Sequence, residues 1–295
     1  MPQGREGAVE ADLGRGWRSV TACAAAPAAP ADPAPAVELR GVSFAYGAHH
    51  VLEGVGLSFY AGQVAAVLGP NGCGKSTTVK LVMRALVPAR GQVLLDGADV
   101  ADMGRKEVAR RVAVLAQGVQ APNMRVGQFV LCGRYPHRAA LAAPSAHDRE
   151  VVRQAMERAG CAAHADEDMA RLSGGERQRA MLAAVLAQQA RVVLMDEPTT
   201  YLDPTACFDL MGMARDLARE GAAVVMVLHD VPLALSFCDR VAVLDEGRVQ
   251  ACGTAEDVAR SGVIDRVFGV RLRRFPSDPA DPSARPGYCL APREG

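Results

Sequence analysis

An excess of charge of either sign is missing from this sequence: 33 basic residues stand against 33 acidic ones, for a formal net charge of +0. That leaves no electrostatic case for nucleic acid as the main partner, because such binding is driven by neutralising phosphates. The eight cysteines are scattered and no two of them form Cys-x-x-Cys. A zinc site or disulfide framework is therefore not expected, and reduced thiols fit a cytosolic protein. No run approaches the roughly 20 apolar residues needed to cross a bilayer. Val20-Thr21-Ala22-Cys23 has the look of a lipoprotein cleavage site, but polar Trp17-Arg18-Ser19 stands where an apolar segment would precede it, which argues against lipidation.

What is there suits a globular, enzyme-like body. The 295 residues are 49% apolar and 22% charged, enough for one or two domains with a sizeable core. Residues 1–36 are rich in Ala, Pro and Gly and read as a disordered extension or a mispredicted start. Residues 271–295, rich in Pro, Arg and Asp, read as a flexible tail with little to pack. Between them, Val37, Leu39, Val42, Phe44, Tyr46, Val55, Leu57 and Phe59 alternate as in half-buried strands, with turns expected at Gly41, Gly47 and Gly54. Buried strands are expected at Val64 to Leu68, Val192 to Met195, Ala222 to Leu228 and Val241 to Leu244, the last turning at Glu246-Gly247 into a hairpin. Helices are expected at Lys75 to Leu86 (ended by Pro88), Asp148 to Ala159, Gly175 to Gln188 and Thr205 to Arg219. The alternation implies an α/β core around a largely parallel sheet, interrupted by a mostly helical insert at about 118–172.

Three strings carry chemistry. Gly69-Pro70-Asn71-Gly72-Cys73-Gly74-Lys75-Ser76 fits G-x-x-x-x-G-K-[ST] between a strand and a helix. Glycines let successive N–H groups turn inward as an anion nest at a helix N-terminus. Lys75 then reaches the β/γ-phosphates and Ser76 a Mg²⁺ ion, so a nucleoside triphosphate is expected. Cys73, in that nest, is expected to have a favoured thiolate that ATP protects from alkylation, with an ordinary loop thiol as the alternative. Val192 to Met195 delivers Asp196 and Glu197 to a strand end, where α/β sheets place ligands. Asp196 suits a Mg²⁺ shell, and Glu197 suits accepting a proton from, or orienting, an attacking water. Ser173-Gly174-Gly175-Glu176 is a capping box whose glycines leave N–H groups bare.

That last string, with Leu172 before it and Arg177-Gln178 after, resembles the signature motif of the ATP-binding cassette (ABC) family. The resemblance covers roughly residues 37–270, with the motifs in the family's order. It implies a P-loop NTPase (RecA-like) core with an antiparallel β subdomain and the helical insert. It implies real ATP hydrolysis with Mg²⁺, the phosphate loop extending through Thr77. Further roles come from the resemblance alone. Tyr46 matches the aromatic that stacks on adenine, although a core aromatic would read the same way. Gln117 matches the glutamine that senses Mg²⁺ and water, and His229 the switch histidine at the γ-phosphate. Asp203, in Thr199-Thr200-Tyr201-Leu202-Asp203, is expected where two copies meet. In the family two cassettes sandwich two ATPs, Ser173 and Gly175 of one copy capping the γ-phosphate held by the other.

Gly133-Arg134-Tyr135-Pro136-His137, the D-loop string, Asn71-Gly72-Cys73 and Val267-Phe268-Gly269-Val270 together resemble importers of ferric siderophores, haem and cobalamin. Ala116 before Gln117, where that subgroup tends to have Pro, and Met181-Leu182 after the signature depart from it without touching catalytic atoms. The expectation is a peripheral ATPase on the cytoplasmic face of the membrane, with a separate permease and, indirectly, an external binding protein. A soluble ABC ATPase acting on chromosomes or ribosomes, or an exporter cassette, are the alternatives. One signature and no sustained heptad run weigh against the first, and the siderophore-type strings against the second.

Overall fold

The computed structural model describes residues 34–116, 122–139, 142–200, 202–277 and 285–293. Strands β1 (Val37–Tyr46) and β2 (His49–Phe59) pair antiparallel around the Gly47 turn. Gly41 and Gly54 are not turns. Both lie inside these strands at positive φ, where the register shifts, so the extra residue is absorbed as a bulge that glycine tolerates. After β3 (Val64–Leu68) and α1 (Lys75–Val82), β4 (Arg90–Leu95) and β5 (Ala98–Asp99) complete this four-stranded sheet in the order β2-β1-β4-β5. Helix α1 is shorter than Pro88 alone would make it. Left-handed Arg84 closes it, with Ala85 N donating to Lys80 O at 2.9 Å and Arg84 N to Leu81 O at 3.0 Å.

Helix α2 (Arg105–Arg111) leads into β6 (Val112–Leu115). The next segment carries α3 (Val126–Cys132) and α4 (Ala146–Arg158), then α5 (Gly174–Gln188) returns to β7 (Val192–Asp196). Helix α6 (Pro204–Arg219), β8 (Ala223–Val227), α7 (Val231–Phe237) and the hairpin β9 (Arg240–Asp245) and β10 (Arg248–Thr254) follow. The second sheet runs β10-β9-β3-β8-β7-β6, parallel except for the β9–β10 hairpin. Its inner strands are buried on both faces, the mark of a parallel sheet covered on two sides. Alternate residues divide the work. Ala65 and Val67 face the core shared with the antiparallel sheet, whereas Val64, Ala66 and Leu68 face one shared with α6 and α7. A third cluster, built on Val126, Val130, Met156, Met169 and Ala183, holds α3, α4 and α5 together.

The chain closes with α8 (Ala255–Arg260), α9 (Val263–Phe268), β11 (Val270–Phe275) and β12 (Gly287–Pro292). This corrects the expected flexible tail. Strands β11 and β12 form an antiparallel pair in which Leu272 opposes Leu290, and Tyr288 is buried with the α6/α7 core. Arg271 and Arg273 made the segment look unable to pack, yet they alternate outward, a period of two that frees Leu272 to turn inward. Arg285 fixes the return strand, donating to Cys238 O at 2.7 Å and to Asp239 Oδ1 at 2.5 Å. Among the described residues no helix is long and apolar enough to cross a membrane.

Candidate functional site

The phosphate loop joins β3, the sheet's inner strand, to α1. Gly69, Gly72 and Gly74 sit at φ of 155°, 80° and 104°, which L side chains avoid. Two of them also lack room. A Cβ on Gly69 would lie 2.1 Å from Leu244 O, and one on Gly74 would lie 2.4 Å from Leu52 Cδ2. Lys75 is buried, and its Nζ donates to Gly69 O and Pro70 O, both at 2.8 Å, so the ammonium is folded back over the loop it belongs to. Thr77 is buried one turn into α1. Cys73 corrects an expectation: its thiol is buried, and desolvation pushes its pKa up against the pull of Lys75, so the thiolate is disfavoured. Burial outweighs the nest's N–H groups.

On the far side of β8 from the loop's strand, β7 ends at Asp196, whose Oδ1 accepts from Ser76 Oγ at 3.2 Å. Burial pushes the Asp196 carboxyl up, the Ser76 hydroxyl opposes this, and neighbouring Glu197 pushes it up further. A desolvated carboxylate beside a hydroxyl is a hard-oxygen pair that suits Mg²⁺. Among the described residues no cluster of three or more His, Cys, Asp or Glu is placed to hold a metal. Glu197 takes a left-handed φ of 49° while its N–H donates to Val227 O at 3.0 Å. Such a conformation in a residue with a Cβ costs about 1–3 kcal/mol and gathers at functional sites. It turns the carboxylate toward His229, at the end of β8, and Nε2 of that ring contacts Glu197 Oε1. A separation of 32 positions between these two partners hid the contact from sequence spacing.

Ser173 caps α5 as its spacing implies: its Oγ lies 2.7 Å from Glu176 Oε2, and its N–H donates to the same oxygen at 2.9 Å. Ser173 and Gly174 are exposed, and a Cβ on Gly174 or Gly175 would meet nothing within 4 Å. Asp203 caps α6 by accepting from Ala206 N at 2.9 Å. Gly175 and Asp203 line one cleft of about 610 Å³, and Gln178 Nε2 ties the signature helix to Pro198 O at 3.1 Å. Among the described residues no hydrogen bond or ion pair joins Ser173, Gly175 or Asp203 to the phosphate loop. Tyr46 ends β1, 47% exposed, with its ring perpendicular to that of Phe44 at a centroid distance of 4.8 Å and an angle of 85°. Gln117 lies outside the described residues, as does Tyr201.

A parallel sheet that sets a glycine-rich loop, two carboxylates and a histidine along one edge defines a nucleoside-triphosphate-binding protein. The profile of the ABC transporter family matches residues 52–200, and the chain belongs to that family as an ATP-binding, ATP-hydrolysing subunit. It is 39% identical over 237 residues to the ferric enterobactin transport ATP-binding protein of Escherichia coli strain K12, covering 79% of this chain and 88% of that one. Over 243 residues it is 40% identical to a hemin import ATP-binding protein of Gloeobacter violaceus, covering 80% and 88%. A solved metal-chelate type ABC transporter in an inward-facing conformation superposes with a TM-score of 0.75 at 23% identity, covering 88% of this chain and 98% of that one. That likeness speaks for the fold.

Proposed function

We propose that this chain drives import of an iron chelate, a ferric siderophore or a related haem or cobalamin ligand, as one of two paired cassettes. The observation that carries the chemistry is the edge where Ser76 meets Asp196 and Glu197 meets His229, beside the phosphate loop. In this reading Lys75 exchanges its two carbonyl partners for β/γ-phosphate oxygens, while N–H groups from Gly69 through Thr77 cradle the rest. Ser76 and Asp196, with Gln117, would hold Mg²⁺, which when bound neutralises phosphate charge. Glu197 accepts the proton of the attacking water or orients it. His229 holds the Glu197 carboxylate and faces the γ-phosphate. Tyr46 offers its exposed ring to adenine, a stacking worth about 0.5–1.5 kcal/mol beyond burial.

The open glycines of the signature support a second copy as the partner, with Ser173, Gly174 and Gly175 capping the γ-phosphate across the interface and Asp203 lying at it. A separate membrane-embedded permease fits against the insert, which exposes Tyr135 and whose Phe129 lines a cleft of about 200 Å³ with Met181 and Val185. The external binding protein would touch that permease, and this chain would work from the cytoplasmic face. Iron chelates are favoured over other cargo by what the relatives named above carry. The test is purification of tagged Glu197→Gln protein from its native membranes with ATP, followed by mass spectrometry. A co-purifying polytopic permease supports import, whereas ribosomal or chromosomal partners alone overturn it.

A further inference from the structure

Helix α5 is capped by exposed Ser173 at its start and by left-handed Gln189 at its end, with no basic residue in its own last turn. The carbonyls left open at a helix C-terminus favour cationic donors. Here they come from the string after α3. Arg134 Nη1 donates to Ala187 O at 2.8 Å and to Gln189 Oε1 at 2.9 Å, while its Nε donates to Asp148 Oδ1 at 3.1 Å. His137 Nε2 meets Gln188 O at 2.7 Å. The Gln188 amide in turn donates to Ala109 O of α2 at 2.5 Å and to Val112 O, the first residue of β6, at 2.7 Å. Gly133 permits this approach, since a Cβ there would lie 2.3 Å from Ala184 O.

The fork is set deep. Arg134 and Asp148 are 3% and 6% exposed, and hydrogen bonds from Ser145, joined by Arg134, hold the Asp148 carboxyl well below the usual range. Apolar side chains could fill this space without removing charges from water. What a planar guanidinium adds is direction: three bonds at fixed angles to three different partners.

We propose that Arg134 is a positioning residue for the signature helix, fixing the last turn of α5 and so setting where Ser173 to Gly175 present their donors. This rests on the sandwich reading above, in which those donors meet a nucleotide held by another copy. The lever is long: fifteen residues at 1.5 Å each span about 22 Å, so a tilt of about 5° at the last turn moves the first by about 2 Å. A hydrogen bond does not survive that displacement. The phosphate loop shares none of these bonds, so ATP binding to the single chain is untouched.

Arg134→Gln and Arg134→Lys test it, each in the full chain and in the Glu197→Gln chain. The readouts are Kd for mant-ATP, kcat for ATP, melting, and ATP-driven dimerisation of the Glu197→Gln forms by light scattering. Arg134→Gln is expected to keep Kd and a cooperative melt, lose about a hundredfold in kcat, and lose the dimer. Lysine restores part of both, keeping the charge without the fork. His137→Ala, at an exposed side chain that does not endanger folding, shows a smaller loss of the same kind. Unchanged kcat and dimer in both the Arg134 and His137 variants overturn the proposal. So does a fall in Kd affinity and melting in step with kcat, which marks ordinary structural support. A Glu197→Gln parent that stays monomeric with ATP overturns the sandwich reading and this proposal with it.

Discussion

At the start of α1 two of the three glycines are packed shut, and at the start of α5 both stand open. Gly69 and Gly74 are wedged against Leu244 O and Leu52, with a buried lysine folded over them. Gly174 and Gly175 have nothing within 4 Å, and the cap above them is satisfied by Glu176 of the same helix. Both are helix N-termini suited to an anion. The first needs glycine for its own backbone, so its glycines serve the chain whether or not a ligand is present. The second needs glycine only if something outside the chain must come close. Inside a helix glycine costs about 0.5–1 kcal/mol relative to alanine, an upper bound for the first turn, so open glycines there are a cost without an internal return.

Alanine substitutions break this comparison in opposite directions. Gly69→Ala combines a forbidden φ with a backbone overlap and is expected to cost about 3 kcal/mol or more. Denaturant unfolding would register the loss, with mant-ATP binding abolished. Glu197→Gln comes next: turnover falls about a hundredfold or more with ATP binding retained, and the two helix starts stay closed on one nucleotide as a persistent dimer. Undiminished hydrolysis would remove Glu197 from the reaction. Gly175→Ala sharpens the contrast. It is expected to raise stability by up to about 0.5–1 kcal/mol while turnover drops, because in the proposed sandwich the new methyl group would stand where the other copy's phosphate approaches. A stabilised variant with full turnover would sink the sandwich.

The parts of the site legible in the sequence were those that act through neighbours along the chain. Nest, capping box and acidic strand end each place their groups within a few residues, and local spacing decides the geometry. Strand alternation revealed β1 and β2, and unbroken apolar runs revealed the inner parallel strands, for the same reason. What stayed hidden depended on distant partners. Glu197 finds His229 only because β7 and β8 are adjacent. Arg134 belongs to a string that marks a subgroup, and nothing near it predicts Asp148 or the end of α5. Cys73 was misjudged because its burial is set by packing with remote strands. Short β4 and β6, beginning beside charged residues, gave no alternation long enough to stand out.

Ser173 carries the finest test, because two roles share one hydroxyl. As N-cap its oxygen accepts from Glu176 N at 3.4 Å, a long bond, while the Glu176 carboxylate, held below its usual range chiefly by the Ser173 hydroxyl, takes the return contacts. Ser173→Ala should therefore lower stability by about 1 kcal/mol, a shift of a few degrees in melting. Ser173→Asn keeps a capping side chain and should melt as the parent does. Turnover separates the roles. If the hydroxyl also meets the γ-phosphate of the other copy, Ser173→Asn loses activity at unchanged stability. If the residue only caps, activity follows melting in both variants. A single substitution that leaves the helix start intact and the enzyme slow would assign the hydroxyl to the ligand, and with it the open glycines beside it.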